Sequence, residues 1–324
     1  MNTIHRIVLF SLSFLFAVTA YAQDTTLTVK VTEEINLPFI PSASALEQKG
    51  KYFYVAGDDS PFLFRLDTNL QITKHFLIHD KVTPGVDRIP KDEKPDWEAM
   101  VNYKWGNSKD LLVFGSGSGE NRKRMTRVRF TGKGYEVKSY SLKHLYAKMM
   151  EQGDIAPEDF NIEGAASWKD HVIFMNRGTN QLILVPKFAF TRFMKWKGKK
   201  QERKKLRIDF YDFDLPEIDG VQARFSGGTK VSGEHVLVFC ASVERTDSSV
   251  DDGEVLGSFV GLIPLKKLKK GEMQIARVTK KGEPYMGKIE SVDVLKVGKN
   301  KLSLVGVTDD DLGGSTFLYM KMRR

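Results

Sequence analysis

Three glutamates stand in matching surroundings: Glu98 in "DWEAM", Glu163 in "NIEGAA" and Glu290 in "KIESV". Each sits among small and apolar residues, where a strand would begin. Burying a lone charge is costly, so such carboxylates need a partner or a task. Polar loops further along add Asp58 and Asp59, Glu244, and Asp309, Asp310 and Asp311. Carboxylates gathered this closely raise one another's pKa. Three arrangements relieve the repulsion. A hard cation such as Ca²⁺ takes about six to eight oxygen ligands, and Asp58, Asp59, Glu98, Glu163, Glu244, Glu290, Asp309 and Asp310 would supply them. Arginines could pair with the acids, since Arg124, Arg177, Arg224 and Arg245 fall in or beside the same loops. Or some carboxyls stay protonated, with Glu98, Glu163 and Glu290 doing acid–base work. Their structural alternative is to cap backbone N–H groups or tie neighbouring elements together.

These residues must be positioned by strands. Helical periodicity is nearly absent, and short apolar or alternating runs are punctuated by Gly, Asn and Asp. A pattern recurs about every 55 to 65 residues, near the period of propeller blades. Its core is strand, polar loop, strand, as in "KYFYVAGDDSPFLFRLD", "HVIFMNRGTNQLILV" and "KLSLVGVTDDDLGGSTFLYMKM". An inner run precedes each core, and a fourth run closes most units. The fifth unit lacks its fourth strand, and "TLTVKVTEEINL" (Thr26 to Leu37) is a spare one near the N-terminus. Lending it to the last unit would remove an exposed edge. The expectation is an all-β, five-bladed β-propeller closed by an N-terminal strand. Six blades would need a unit that is not found. One helix is expected in "SLKHLYAKMMEQG", between the second and third units.

In a propeller the inner strand of each blade lines the central channel. The three glutamates then converge on its mouth, on a face rich in acids. The opposite face collects "KWKGKKQERKK", "KKLKKGE" and "VGKNK". These basic loops read as solvated hairpin tips, or as loose contacts to anionic surfaces.

The chain has 324 residues, a formal net charge of +9 and a globular composition, 41% hydrophobic. Residues 1–22 read as a secretory signal peptide: a short basic start, an apolar stretch, then Ala20-Tyr21-Ala22 before Gln23. The remaining 23–324 would be one propeller domain, exported to the periplasm or secreted, with no membrane span. Export argues against nucleic acid as a partner despite the positive charge. Cys240, the one cysteine, sits in "HVLVFC" and reads as a buried inert thiol. "GSGSG" (Gly115 to Gly119) is no nucleophile elbow, since Gly117 stands where the serine belongs. With Arg122, Lys123 and Arg124 after it, the segment could hold an anion. "MNRGTN" is a tight loop turned by Gly178, or one that aims Asn176 and Arg177 at a ligand.

The segments "SASALEQKGKYFYVAGDDSPFLFRLD", "KPDWEAM", "LLVFGSGSGENRKR" and "NIEGAASWKDHVIFMNRG" resemble bacterial propellers related to the phytase-like, or esterase-like phytase, domain. The resemblance implies a calcium-rich acidic channel and phosphate-ester hydrolysis. Glu98, Glu163 and Glu290 match the family's inner-strand glutamate, and Arg177 its "RG" loop. The chain departs from the pattern in having five units where propeller phytases have six. Ala45 and Ala223 also stand near where two further glutamates would be. The expected function is a calcium-dependent hydrolase of a phosphorylated or other anionic ester, with Arg124, Asn176, Arg177 and Arg245 as substrate-binding residues. The alternatives are a non-catalytic propeller that binds a ligand or protein, and a metal-dependent lactone hydrolase.

Overall fold

The computed structural model describes residues 26–79, 88–194, 206–246, 253–309 and 314–324. The architecture is nearly all β and propeller-like: three four-stranded antiparallel sheets (I to III), a nine-stranded sheet whose two four-stranded parts are IV and V, and a two-stranded sheet of Glu217–Ile218 with Val221–Gln222. From inner to outer strand, sheet I is Ala43–Lys49, Tyr52–Gly57, Phe62–Leu66 and Ile72–Leu77. Sheet II is Trp97–Trp105, Ser108–Gly115, Arg124–Thr131 and Gly134–Ser141. Sheet III is Ile162–Trp168, His171–Asn176, Gln181–Pro186 and Asp209–Asp212. Sheet IV is Arg224–Lys230, Val236–Arg245, Glu254–Pro264 and Gln274–Lys280. Sheet V is Lys288–Val297, Lys301–Asp309 and Ser315–Arg323, with Thr28–Asn36 outside them.

The N-terminal strand does close the last sheet. It runs antiparallel to Ser315–Arg323, from Thr28 opposite Arg323 to Asn36 opposite Thr316. Its other edge pairs in parallel with Gln274–Lys280 over Val29 to Val31, so sheets IV and V are joined at their rims. Two exposed edges are thereby covered at once.

The inner strands touch one another in the cyclic order I, II, III, IV, V and back to I. Five apolar clusters fill the wedges between neighbouring sheets. Leu46, Val55 and Phe64 pack with Val305 and Phe317 between I and V, and Phe225 and Phe239 pack with Ile173 and Leu182 between III and IV. Alternation along each strand produces both layers, because side chains point to opposite faces and each face meets a neighbouring sheet. Sheets crowd at the axis, which demands small residues there. A Cβ on Gly227 would lie 2.5 Å from the Glu290 carbonyl oxygen and 2.9 Å from Ser291 Cα in the next inner strand.

The expected helix forms as α1, Lys143–Gly153, and buries Leu145, Tyr146 and Met149 against sheets II and III. A second helix, α2 (Lys187–Met194), was not anticipated and inserts Ala189 and Phe190 into the same cluster. Its apolar residues follow closely on a strand, and the one break between them is Pro186. The expected leader, residues 1–22, and "KWKGKKQERKK" lie outside the described residues. Among the described residues no helix is long and apolar enough to cross a membrane.

Candidate functional site

Every inner strand carries the same irregularity. Pairing with the second strand skips one residue: Ser44 in sheet I, Glu98 in II, Glu163 in III, Ser226 in IV and Glu290 in V. A bulge of this kind leaves one residue out of the ladder and re-aims its side chain. The three glutamates are therefore equivalent, and a strand can tolerate each because its side chain is turned out of the sheet. The positions that complete the ring are Ser44 and Ser226, not Ala45 and Ala223. Ser226 donates to the Ile289 carbonyl of the next inner strand at 2.5 Å, a structural use.

Above the bulges lies a cavity of about 400 Å³. Of the residues expected there, Asp58, Asp59, Glu98, Glu163, Arg177, Glu244, Glu290 and Asp309 line it. Asp310 lies outside the described residues. Three expected substrate-binding residues do not line it. Asn176 is consumed internally: its Nδ2 donates to the Asp159 carbonyl and Thr179 Oγ1, and its Oδ1 accepts from Asn161 N. Arg245 is exposed beside Glu254, 3.3 Å away. Arg124 begins the third strand of sheet II.

The cavity also holds residues that the sequence reading missed: Ser42, Arg88, Lys94, Asp96, Asn161 and Lys288 among them. A signal for four of them was present. Ser42, Asp96, Asn161 and Lys288 each stand two residues before a bulge residue, so the repeat was longer than the lone glutamate suggested. Asp96 adopts a left-handed backbone, φ 57°, a conformation that Asp tolerates better than most residues.

Among the described residues, eight carboxylates and six cations line the cavity. On the side of sheets III to V, Arg177 Nη2 donates to Glu244 Oε1 at 2.6 Å and Lys288 Nζ lies 3.0 Å from Glu290 Oε1. Asn161 Nδ2 donates to Glu163 Oε1 at 2.7 Å. Burial pushes Glu163 up to about 7, against the pull of Arg177 and Lys288. Burial likewise raises Glu290 to about 8 despite Lys288. Burial acts on Glu244 in the same sense, but Arg177 and Lys288 outweigh it and hold that carboxyl below its ordinary range.

On the side of sheets I and II the balance differs. Asp58, Asp96 and Glu98 each offer an oxygen, all within 4.8 Å of one another. Lys94 Nζ is hydrogen-bonded to Asp58 and lies 2.9 Å from Asp96 Oδ1, while Arg122 Nη1 holds Asp96 Oδ2 at 2.9 Å. Glu98 has no hydrogen bond or ion pair to a described residue. Burial, followed by Glu163, Asp96, Asp58 and Glu290, drives its pKa well above the ordinary value. Burial raises Asp58 to about 6. Asp58 Oδ1 and Asp59 Oδ1 are buried and meet no hydrogen-bond partner. Carboxylate oxygens left bare at this depth can accept a cation, and the Asp58–Asp96–Glu98 cluster could hold a metal ion.

The chain belongs to a family of unknown function (DUF6929), whose model matches residues 39–322. No curated protein sequence matches it. Solved structures similar to it are propeller-like proteins. A glutaminyl cyclase from Myxococcus xanthus is 8% identical with a TM-score of 0.44, covering 92% of this chain and 98% of its own. A PQQ-bound aldose sugar dehydrogenase from Streptomyces coelicolor is 13% identical with a TM-score of 0.47, covering 92% and 99%. A virginiamycin B lyase from Staphylococcus aureus is 10% identical with a TM-score of 0.38, covering 90% and 99%.

Proposed function

We propose that residues 23–324 form one exported, five-bladed propeller whose channel mouth hydrolyses an anionic ester with the help of a calcium-type cation. The observation that carries this reading is the Asp58–Asp96–Glu98 trio, with mutual distances within 4.8 Å, in one cavity with the guanidinium groups of Arg88 and Arg122. Cation ligands and anion ligands face the same space, which is what a phosphorylated or carboxylated ester would require. Asp58, Asp96 and Glu98 would hold the ion, with Asp59 beside them. A bound divalent cation supplies Lewis-acid polarisation of an ester oxygen and lowers the pKa of a coordinated water.

The chain's own groups account for the rest. Arg122 and Arg88 orient the anionic group from the rim. Glu163 has a pKa of about 7, so near neutral pH it can accept or return a proton. Glu290, at about 8, is mostly protonated there and can donate. Arg177 serves mainly to neutralise Glu244, so its role at the site is indirect. The phytase-like resemblance supports a phosphate ester as the first substrate class to test.

A binding-only reading has one observation in its favour: Lys94 already sits between Asp58 and Asp96. A panel of phosphate esters and lactones, with and without EDTA, separates the readings. EDTA-sensitive release of phosphate supports the proposal. Turnover of lactones alone moves the assignment to a lactonase, and failure on both classes favours binding. Export predicts a mature chain that begins at Gln23.

A further inference from the structure

Lys94 occupies a place that its position in the fold does not require. It belongs to no sheet; it ends a turn in which Glu93 N and Lys94 N both donate to the Pro90 carbonyl, at 2.9 and 2.8 Å. Its ammonium bonds Asp58 and Asp96, two of the three carboxylates that converge within 4.8 Å. Those carboxylates are anchored without it. Asp96 Oδ2 accepts from Ser116 Oγ at 2.5 Å and from Arg122 at 2.9 Å. Asp58 is fixed through its backbone: its N–H donates to the Ser42 carbonyl and its own carbonyl accepts from Trp97 N.

Charge and space both allow the lysine to leave. With all three carboxylates ionised, Lys94 and Arg122 leave the trio one uncompensated negative charge, and a divalent ion in place of the ammonium leaves none. Lys94 also lines a second, adjoining cavity of about 420 Å³, whose walls include Asp92, Glu120 and Asn121. A flexible four-carbon stem can carry the ammonium from one cavity into the other and find new acceptors there.

We infer that Lys94 is a built-in counter-cation that a divalent ion displaces: the ammonium holds the Asp58–Asp96 pair together in the empty site and swings into the side cavity when the ion binds. The inference rests on the cation site proposed above. It makes Lys94 a determinant of cation affinity and of the preference for divalent over monovalent ions, since only a doubly charged ion gains by the exchange.

Two measurements on the full chain test this. The first is calcium affinity by titration calorimetry for the native protein and for Lys94→Met, which keeps the stem and removes the charge. The variant should bind calcium roughly tenfold more tightly, because it has no resident cation to displace. Equal affinity overturns the inference and leaves the proposed function standing. Binding by Lys94→Met with none by the native chain also overturns displacement, and removes the calcium-dependent function with it. The second measurement needs no variant and serves if Lys94→Met fails to fold. Reductive methylation of the native protein, read by peptide mass spectrometry, should modify Lys94 several-fold faster with saturating calcium than with EDTA. Unchanged or slower labelling in calcium overturns the inference.

Discussion

Two layers of the same axis treat buried acids in opposite ways. The bulge layer carries Glu98, Glu163 and Glu290 facing an open cavity. Three or four residues further along the inner strands, about 10 to 13 Å deeper, Glu47 and Asp293 are buried in a packed layer with Asn102 and Thr229. There the ligands are rigid. Asp293 accepts from Gln48 N at 2.5 Å and Val294 N at 2.6 Å, and Asn102 Nδ2 donates to Glu47 Oε1 at 2.5 Å. Burial lifts Asp293 to about 6 and, with Asp293 beside it, raises Glu47 well above its ordinary value. Backbone amides cannot leave, whereas the lysines and arginines at the mouth can. The deep acids are tied to fixed backbone and amide donors, whereas the mouth is where the proposed exchange of cations would occur.

The sharpest way to break this contrast is to remove a deep acid. Asp293→Ala strips the acceptor from two backbone N–H groups inside the ring, each orphan costing about 1 to 3 kcal/mol. The expected loss is about 3 kcal/mol or more in chemical denaturation, at any calcium concentration. A loss below about 1 kcal/mol would mean that the deep layer does not lock the ring.

The mouth is tested through pH, where the deep acids Asp293 and Glu47, raised in the same direction, add to the same trend. Asp58, Glu163 and Glu290 have folded pKa values of about 6, 7 and 8, above those of free carboxyls. A raised carboxyl stabilises the fold fully below its unfolded pKa, and that contribution is lost as pH rises through the folded value. Calcium-free protein should therefore melt several degrees higher at pH 5.5 than at pH 8. Glu244, held low by its cations, acts in the opposite sense and matters only as pH falls below the usual carboxylate range. Glu290→Gln should stabilise the calcium-free protein at pH 8 by about 1 to 2 kcal/mol and shrink the pH difference. Equal melting temperatures at both pH values would show that the raised carboxyls of the mouth add no net pH dependence to stability.

Much of this contrast was legible in the sequence, for a physical reason. A bulge at one register position in every inner strand repeats a local pattern, so "DWEAM", "NIEGAA" and "KIESV" align by eye. The spare N-terminal strand was legible because an unfilled sheet edge is a countable defect. The deep layer was not, because Glu47 and Asp293 lie within alternating strands and look like ordinary surface residues. Nor were the mouth lysines. Lys94 and Lys288 were obscured by the expectation of an acidic face, although each stands two residues before an acidic position of the mouth. Asn176 was misjudged because only the fold shows its amide spent on Asp159, Thr179 and Asn161.

The mildest test concerns where an anion goes. Arg122 has one Nη1 contact to Asp96 and one to Ser118 Oγ at 2.8 Å, and its side chain lines both cavities. Lys49 borders the deep layer, with its ammonium on the Lys109 carbonyl at 2.6 Å and on Asn102 Oδ1 at 3.3 Å. Burial lowers the Lys49 pKa. Inorganic phosphate, titrated in the presence of calcium, should bind roughly tenfold more weakly to Arg122→Ala, the loss of one charge-assisted contact. Lys49→Met and Arg124→Ala should stay within about twofold of the native chain, because neither residue lines the mouth. If Lys49→Met weakened phosphate as much as Arg122→Ala did, the axis would be continuous to anions through the deep layer.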